Sequence, residues 1–299
     1  MNINSQSPLI KRLWAYLLER FPPGAYTLLV LLFWGSAVGT ARSLSGSAIA
    51  DNAWLIIPVI WLVFLRLRLF DESKDHTLDK VAHPERILSK GIVSLSFLKR
   101  LSLLALLVEG MISFALGNDV LLCWFGVVAF TFAMRMEFGV SGWLNKHIFI
   151  YAISHNPVVA CLGILCWAST GAPWSSFFVL YLLSISFSSL AFEFGRKINT
   201  PEEELSLVDS YSSVFGRRKA VFILRATALL STLLTFWLLL ELSSFEFGFG
   251  ESLGSGVLFL GLIALSFLSS LNSSSSKVEL GATLFLLFQM LSVIIGTSL

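Results

Sequence analysis

Long apolar stretches separated by short polar ones run the whole length of the chain. Nine stretches are long enough to cross a bilayer, which takes about 17–25 residues each. They run approximately from Tyr26 to Ala41, Ala53 to Leu69, Leu98 to Leu116, Val120 to Met136, Ile148 to Thr170, Trp174 to Phe192, Ala220 to Leu242, Leu253 to Leu271 and Val278 to Leu299. Ahead of them, "LIKRLWAYLLERF" places Leu9, Leu13, Trp14, Leu17, Leu18 and Phe21 on one helical face, with Lys11, Arg12, Glu19 and Arg20 largely opposite. That pattern predicts an amphipathic helix lying in the membrane interface, ended by Pro22-Pro23-Gly24. No cleavable signal peptide is evident. The serine run from Asn272 to Lys277 predicts only a turn between the last two spans.

Composition agrees: 13% of the residues are charged, about half the fraction typical of a soluble domain. The pattern therefore predicts an all-α integral membrane bundle. Residues 1–24 form the interfacial helix and 25–299 the nine-span membrane domain. Cys123, Cys161 and Cys166 all lie within apolar stretches. Their spacing fits neither a disulfide framework nor a zinc site.

Where the charge falls adds orientation. Assigning loops alternately to the two faces puts 20 of the 21 Lys and Arg on the N-terminal side, Arg66 and Arg225 among them. Only Arg42 falls on the other face, with Asp51, Asp119, Glu241, Glu246 and Glu251. The positive-inside rule then predicts a cytoplasmic N-terminus and an external C-terminus, in a bacterial inner membrane. The two longest polar loops, 70–97 and 193–219, are both cytoplasmic on this reading. Four spans separate them, which predicts a weak internal duplication with the loops facing each other over a cavity.

The first of these loops, "RLFDESKDHTLDKVAHPER", carries Asp71, Asp75 and Asp79. Residues at i, i+4 and i+8 lie within about 80° of arc on a helix, so the three aspartates share one face if the second span continues. Like charges four apart repel. A cation would offset this, and Mg²⁺ typically takes one or two carboxylates together with phosphate oxygens. The plainer alternative is a solvated loop whose Asp and Lys residues pair locally. The second loop places Glu193, Arg196 and Lys197 at the end of the sixth span, followed by Glu202, Glu203, Glu204 and Asp209. Two carboxylate loops mixed with Arg and Lys suit a diphosphate, since cations contact the phosphate oxygens that a metal leaves open.

These residues resemble the UbiA superfamily of membrane prenyltransferases. "DESKDHTLDKVAHPERIL" is similar to its first signature, N-x-x-x-D-x-x-x-D followed by an Arg in a P-x-R-P-L-like context. Asp71 stands at the Asn position, Asp75 and Asp79 match, Pro84 and Arg86 match, and Ile87 replaces the usual proline. The second signature is usually D-x-x-x-D; here Glu193 takes the first position and Lys197 the second. "VDSYSSVFGRRKA" resembles the family's G-x-K-S-x-A…G stretch, with Tyr211 and Ser212 in that region. The resemblance implies nine helices and Mg²⁺ held by Asp71, Asp75 and Glu193. It further implies that Arg86, Arg196 and Lys197 grip the diphosphate of an allylic prenyl donor, and that Asp79 orients acceptor or metal. The Lys at a metal-ligand position suggests direct neutralisation of phosphate. Alternatively, Glu202, Glu203, Glu204 or Asp209 folds back to supply the missing oxygen.

Three further positions carry weaker signals. Lys146 contacts diphosphate or is a snorkelling interfacial lysine. His155 and Asn156, about two turns inside the fifth span, serve acceptor recognition, proton handling or hydrogen bonding between helices. The expected partners are a prenyl diphosphate, a lipophilic acceptor and the lipid bilayer, with no nucleic acid. Two rival readings stand beside prenyl transfer. One is a terpene cyclase on the same fold, in which the substrate's own double bonds capture the cation. The other is a transporter or scaffold, disfavoured because nearly all charge lies at one face.

Overall fold

The computed structural model describes residues 4, 6–204, 209–243 and 248–298. Glu246, assigned above to the external face, and Leu299, the end of the last predicted span, lie outside them. Every regular element among the described residues is helical. The helices are α1 (Leu9–Arg20), α2 (Pro23–Ser45), α3 (Ile56–Ala82), α4 (Leu95–Leu116), α5 (Asn118–Arg135), α6 (Ser141–Leu144), α7 (Ile148–His155), α8 (Pro157–Thr170), α9 (Phe178–Gly195), α10 (Tyr211–Phe215), α11 (Arg217–Leu242), α12 (Phe249–Leu268) and α13 (Ser275–Ser298).

Among the described residues, eight segments are long and apolar enough to cross a membrane, α7 and α8 counting as one. α4 has the length, 22 residues, but carries Lys99, Arg100 and Glu109. It lies where the sequence placed the third of its nine spans. Outward-facing residues such as Phe222, Leu122 and Phe267 are largely exposed, as lipid-facing side chains are in the absence of lipid. The chain is an integral membrane protein.

The chain divides into two compact units. The first comprises Met1–Leu31 and Trp54–Met136. Its core packs Tyr16 and Phe21 of the N-terminal segment against Leu65, Leu69, Leu88, Val93 and Leu98. Phe21 stacks on Tyr26 with ring centroids 3.7 Å apart and meets Trp61 edge-on at 4.9 Å. α1 therefore does more than float at an interface. It buries Tyr16 against the protein while Ile10, Trp14 and Leu18 stay exposed.

Inside this unit Arg66 corrects its assignment to a polar loop. It is fully buried and bonds Glu109 of α4, with Nε 3.0 Å from Oε1 and Nη2 3.1 Å from Oε2. Nη1 donates to Thr131 of α5 at 2.8 Å, and Trp124 Nε1 donates to Glu109 at 3.2 Å. A charge in hydrocarbon is tolerated when its opposite and further hydrogen bonds are at hand. Here α4 and α5 supply them.

The second unit comprises Leu32–Ala53 and Glu137–Leu299. Its core joins Leu190, Ala191, Phe194 and Ile198 of the α9 region to Leu224 and Ala228 of α11 and to Val278, Ala282 and Phe285 of α13. Gly195 lies so close to α13 that a methyl there would overlap Ala282; small residues allow this approach. The fifth predicted span is broken at Asn156, where Pro157 begins α8 and cannot donate to the preceding turn. The sixth span starts four residues later than predicted, at Phe178, and runs to Gly195. The segment ahead of it contains Gly171, in the left-handed region (φ 68°), and Pro173.

Candidate active site

The first cluster lies in the first unit. α3 runs unbroken from its apolar half to Ala82, so Asp71, Asp75 and Asp79 do stand on one helix, a turn apart. They are not equivalent. Asp71 and Asp75 are exposed. Asp79 is bonded by Arg86 Nη1 at 2.6 Å, with Arg20 Nη2 at 3.7 Å. His83 ends the helix, its N–H bonding the Asp79 carbonyl, and the following turn brings Arg86 back to that last acid.

Glu72 is part of this cluster and the sequence signature passes over it. Its carboxylate is buried, and Oε1 accepts from Arg20 Nε at 2.6 Å and from Arg68 Nη2 at 3.0 Å. Burial alone would lower the Arg20 pKa. The hydrogen bond and charge of Glu72 outweigh that and raise it. Beside them the buried Tyr16 hydroxyl has no hydrogen-bond partner among the described residues. Burial, then the Glu72 charge, push its pKa up. Glu19 accepts from the Ile87 amide at 3.1 Å. The polar face of α1, expected to meet solvent, is thus docked on α3 and on the turn after it.

The second cluster lies in the second unit, at the end of α9. Glu193 Oε2 is 2.5 Å from Arg196, and Oε1 is 2.8 Å from Lys197 Nζ. Expected as a metal ligand, Glu193 instead has both oxygens on cations of the chain itself. Two of the alternative acids are engaged elsewhere. Glu204 accepts from the Ser210 and Ser212 hydroxyls, each at 2.7 Å. Glu203 accepts from the Thr200 hydroxyl at 3.0 Å and from Ser275. These acids close the loop on itself and on α13. Tyr211 heads α10, its N–H bonding the Lys197 carbonyl at 3.0 Å and its ring edge-on to Phe194 at 4.9 Å. Its hydroxyl has no partner among the described residues. Burial, then the nearby Glu193, hold its pKa above the ordinary phenol value.

The remaining expected residues resolve by contact. Asn156 donates across helices to the Ser186 carbonyl at 3.0 Å, the packing role among its alternatives. His155 stacks on Tyr151 at 4.0 Å, and its Nδ1 lies 2.8 Å from the Tyr151 carbonyl oxygen. Lys146 is exposed in the turn after α6.

Among the described residues no three His, Cys, Asp or Glu side chains form a metal-holding group. Mg²⁺ needs fewer, since it keeps several waters and leans on substrate phosphates. Asp71 and Asp75, exposed and one turn apart, fit that demand. Glu193, occupied on both oxygens, does not fit it in this arrangement.

No family model matches the sequence, and no curated protein matches it. Solved structures do. A digeranylgeranylglyceryl phosphate synthase structure superposes over 96% of this chain and 99% of its own, with a TM-score of 0.66 at 16% identity. A UbiA homologue from Aeropyrum pernix K1, without ligand, covers 91% and 96% with a TM-score of 0.68 at 17% identity. A UbiA homologue from Archaeoglobus fulgidus, bound to DMAPP and Mg²⁺, covers 93% and 99% with a TM-score of 0.63 at 13% identity. The chain is an all-helical membrane protein with the fold of these UbiA homologues, over nearly its full length.

Proposed function

We propose that the chain is a Mg²⁺-dependent prenyltransferase of the UbiA type, transferring a prenyl group from an allylic diphosphate to an electron-rich lipophilic acceptor. The observation that carries this is the exposed pair Asp71 and Asp75 on α3. It is set in the fold of a protein that binds DMAPP and Mg²⁺. A bound Mg²⁺ would supply positive charge to the leaving diphosphate.

The chain's own part follows from its contacts. In the first unit, Asp71 and Asp75 would hold a metal, and Arg86, steadied by Asp79, offers a cation to phosphate. In the second unit, Arg196 and Lys197, both paired with Glu193, offer cations suited to phosphate oxygens. Lys146 and Tyr211 serve the substrate in this reading, while Asn156 is engaged in the helix contact to Ser186. The allylic C–O bond breaks with its electron pair leaving on the diphosphate. Fixed cations stabilise that charge without reorganising. The acceptor's π electrons then form a new C–C bond, or an oxygen lone pair a new C–O bond, and the acceptor loses a proton to water or to the departing diphosphate. The N-terminus and both loops face the cytoplasm, as the basic side of the chain requires.

The test is product identification by mass spectrometry after incubating the purified protein with Mg²⁺, prenyl diphosphates of several lengths and membrane lipid extract. A prenylated acceptor, formed only when extract is present, supports transfer. A cyclic hydrocarbon released without extract assigns the chain to terpene cyclisation on the same fold. No consumption of any donor would overturn both.

A further inference from the structure

Where the start of α1 meets the start of α4, within the first unit, a cleft of about 240 Å³ is lined by Leu9, Arg12, Ser94, Ser96, Phe97 and Arg100 among others. It brings two arginines together with no acid beside them. Among the described residues neither Arg12 nor Arg100 forms an ion pair. Arg12 Nη1 donates to the Ile92 carbonyl at 3.0 Å, while its buried Nε has no hydrogen-bond partner. Two guanidinium groups on one small cleft repel unless an anion lies between them.

The rest of the lining points the same way. Ser94 caps α4, accepting from the Phe97 N–H at 3.3 Å, and its hydroxyl is 3.2 Å from that of Ser96. The positive end of a 22-residue helix therefore opens at the cleft. Leu9 and Phe97 make its apolar wall, and Ile10 and Trp14 of α1 are exposed nearby at 77% and 52%. Positive charge, hydroxyls and apolar surface in one cleft suit an amphiphilic anion rather than a wholly soluble one.

We propose that this cleft binds the phosphate of an anionic membrane lipid, whose acyl chains lie along Leu9, Phe97 and the exposed face of α1. The lipid neutralises Arg12 and Arg100 and fastens α1 to the leaflet in which it lies. The site is separate from the diphosphate chemistry proposed above and does not depend on it.

The test uses the full chain in detergent, mixed with phosphatidylglycerol, phosphatidylcholine or inorganic phosphate, read by native mass spectrometry and by thermal unfolding. One phosphatidylglycerol should remain bound per chain and raise the unfolding temperature. Arg100→Gln, at an exposed residue, should weaken that binding about fivefold, the effect of one basic residue near an anionic surface. Lys11→Gln, which removes the same charge from α1 outside the cleft, should leave the retained lipid in place. Equal retention of phosphatidylcholine, or phosphatidylglycerol binding unchanged in Arg100→Gln, would overturn the proposal. Inorganic phosphate that stabilises the chain as well as the lipid and displaces it would assign the cleft to free phosphate and overturn the lipid assignment.

Discussion

Lys197 Nζ lies 2.8 Å from Glu193 Oε1, at a position where the UbiA second signature carries a second acid. A carboxylate pair separated by four residues would repel and call for a metal. A Glu and a Lys at the same spacing attract and need none. The end of α9 is thereby an ion-paired group, with Arg196 on the other Glu193 oxygen.

That relationship predicts the behaviour of three variants. Lys197→Ala removes a charged donor whose side chain is 29% exposed. Donor affinity should fall about tenfold, the scale of a hydrogen bond to a charged group. Glu193→Gln should give a comparable loss by freeing both cations from their anchor. Lys197→Asp should restore the acidic spacing and make donor binding more dependent on Mg²⁺. The measurement is donor affinity against Mg²⁺ concentration, and superimposable curves for all four proteins would exclude this loop from the site.

The Arg66–Glu109 pair predicts an asymmetry in stability. Both side chains are fully buried, so removing one strands the other. Glu109→Ala should cost about 3–5 kcal/mol, whereas replacing both by apolar residues of similar size should cost far less. Unfolding midpoints of the purified variants in detergent provide the check. Equal losses in the single and double variants would mean that the pair is not coupled.

Arg20 predicts that α1 matters to the site as well as to membrane attachment. It bonds Glu72 at 2.6 Å and approaches Asp79 at 3.7 Å. Arg20→Ala leaves the buried Glu72 with Arg68 alone. It should reduce turnover several-fold and raise the Mg²⁺ requirement, while Lys11→Ala, an exposed change on the same helix, should do neither. Steady-state kinetics of the two variants separate these outcomes.

Much of the fold was legible because membrane spans leave a strong mark. The run from Leu98 to Leu116 was readable despite its acid, while the span read as ending at Leu69 continues as helix to Ala82, which the four-residue spacing of the aspartates allowed but did not decide. The division of labour among the aspartates was not legible. It depends on Arg86 returning through the turn after His83, and on Arg20 arriving from α1, far earlier in the chain. Glu72 was hidden because its neighbours fit a signature and it does not. Glu109 did leave a signal, a lone acid within "LLVEGMI". An acid at that depth demands a partner, and Arg66 in the preceding span was the obvious candidate. α1 misled in the opposite sense. Its apolar face reads as lipid-facing, yet Tyr16 packs into the core with Leu65 and Leu69, and Arg20 turns inward to the charge of Glu72 and Asp79.

The central claim is that Asp71 and Asp75 carry the metal. It is tested most directly by diphosphate release from an allylic donor, measured against Mg²⁺ concentration in the wild type, Asp71→Asn and Asp75→Asn. Both side chains are exposed, so each change should leave the unfolding temperature nearly unchanged. The account predicts Mg²⁺-dependent release in the wild type, with each variant slowed by at least about a hundredfold or needing far more Mg²⁺ to reach the same rate. Release that is unchanged in both variants at limiting Mg²⁺ would contradict it.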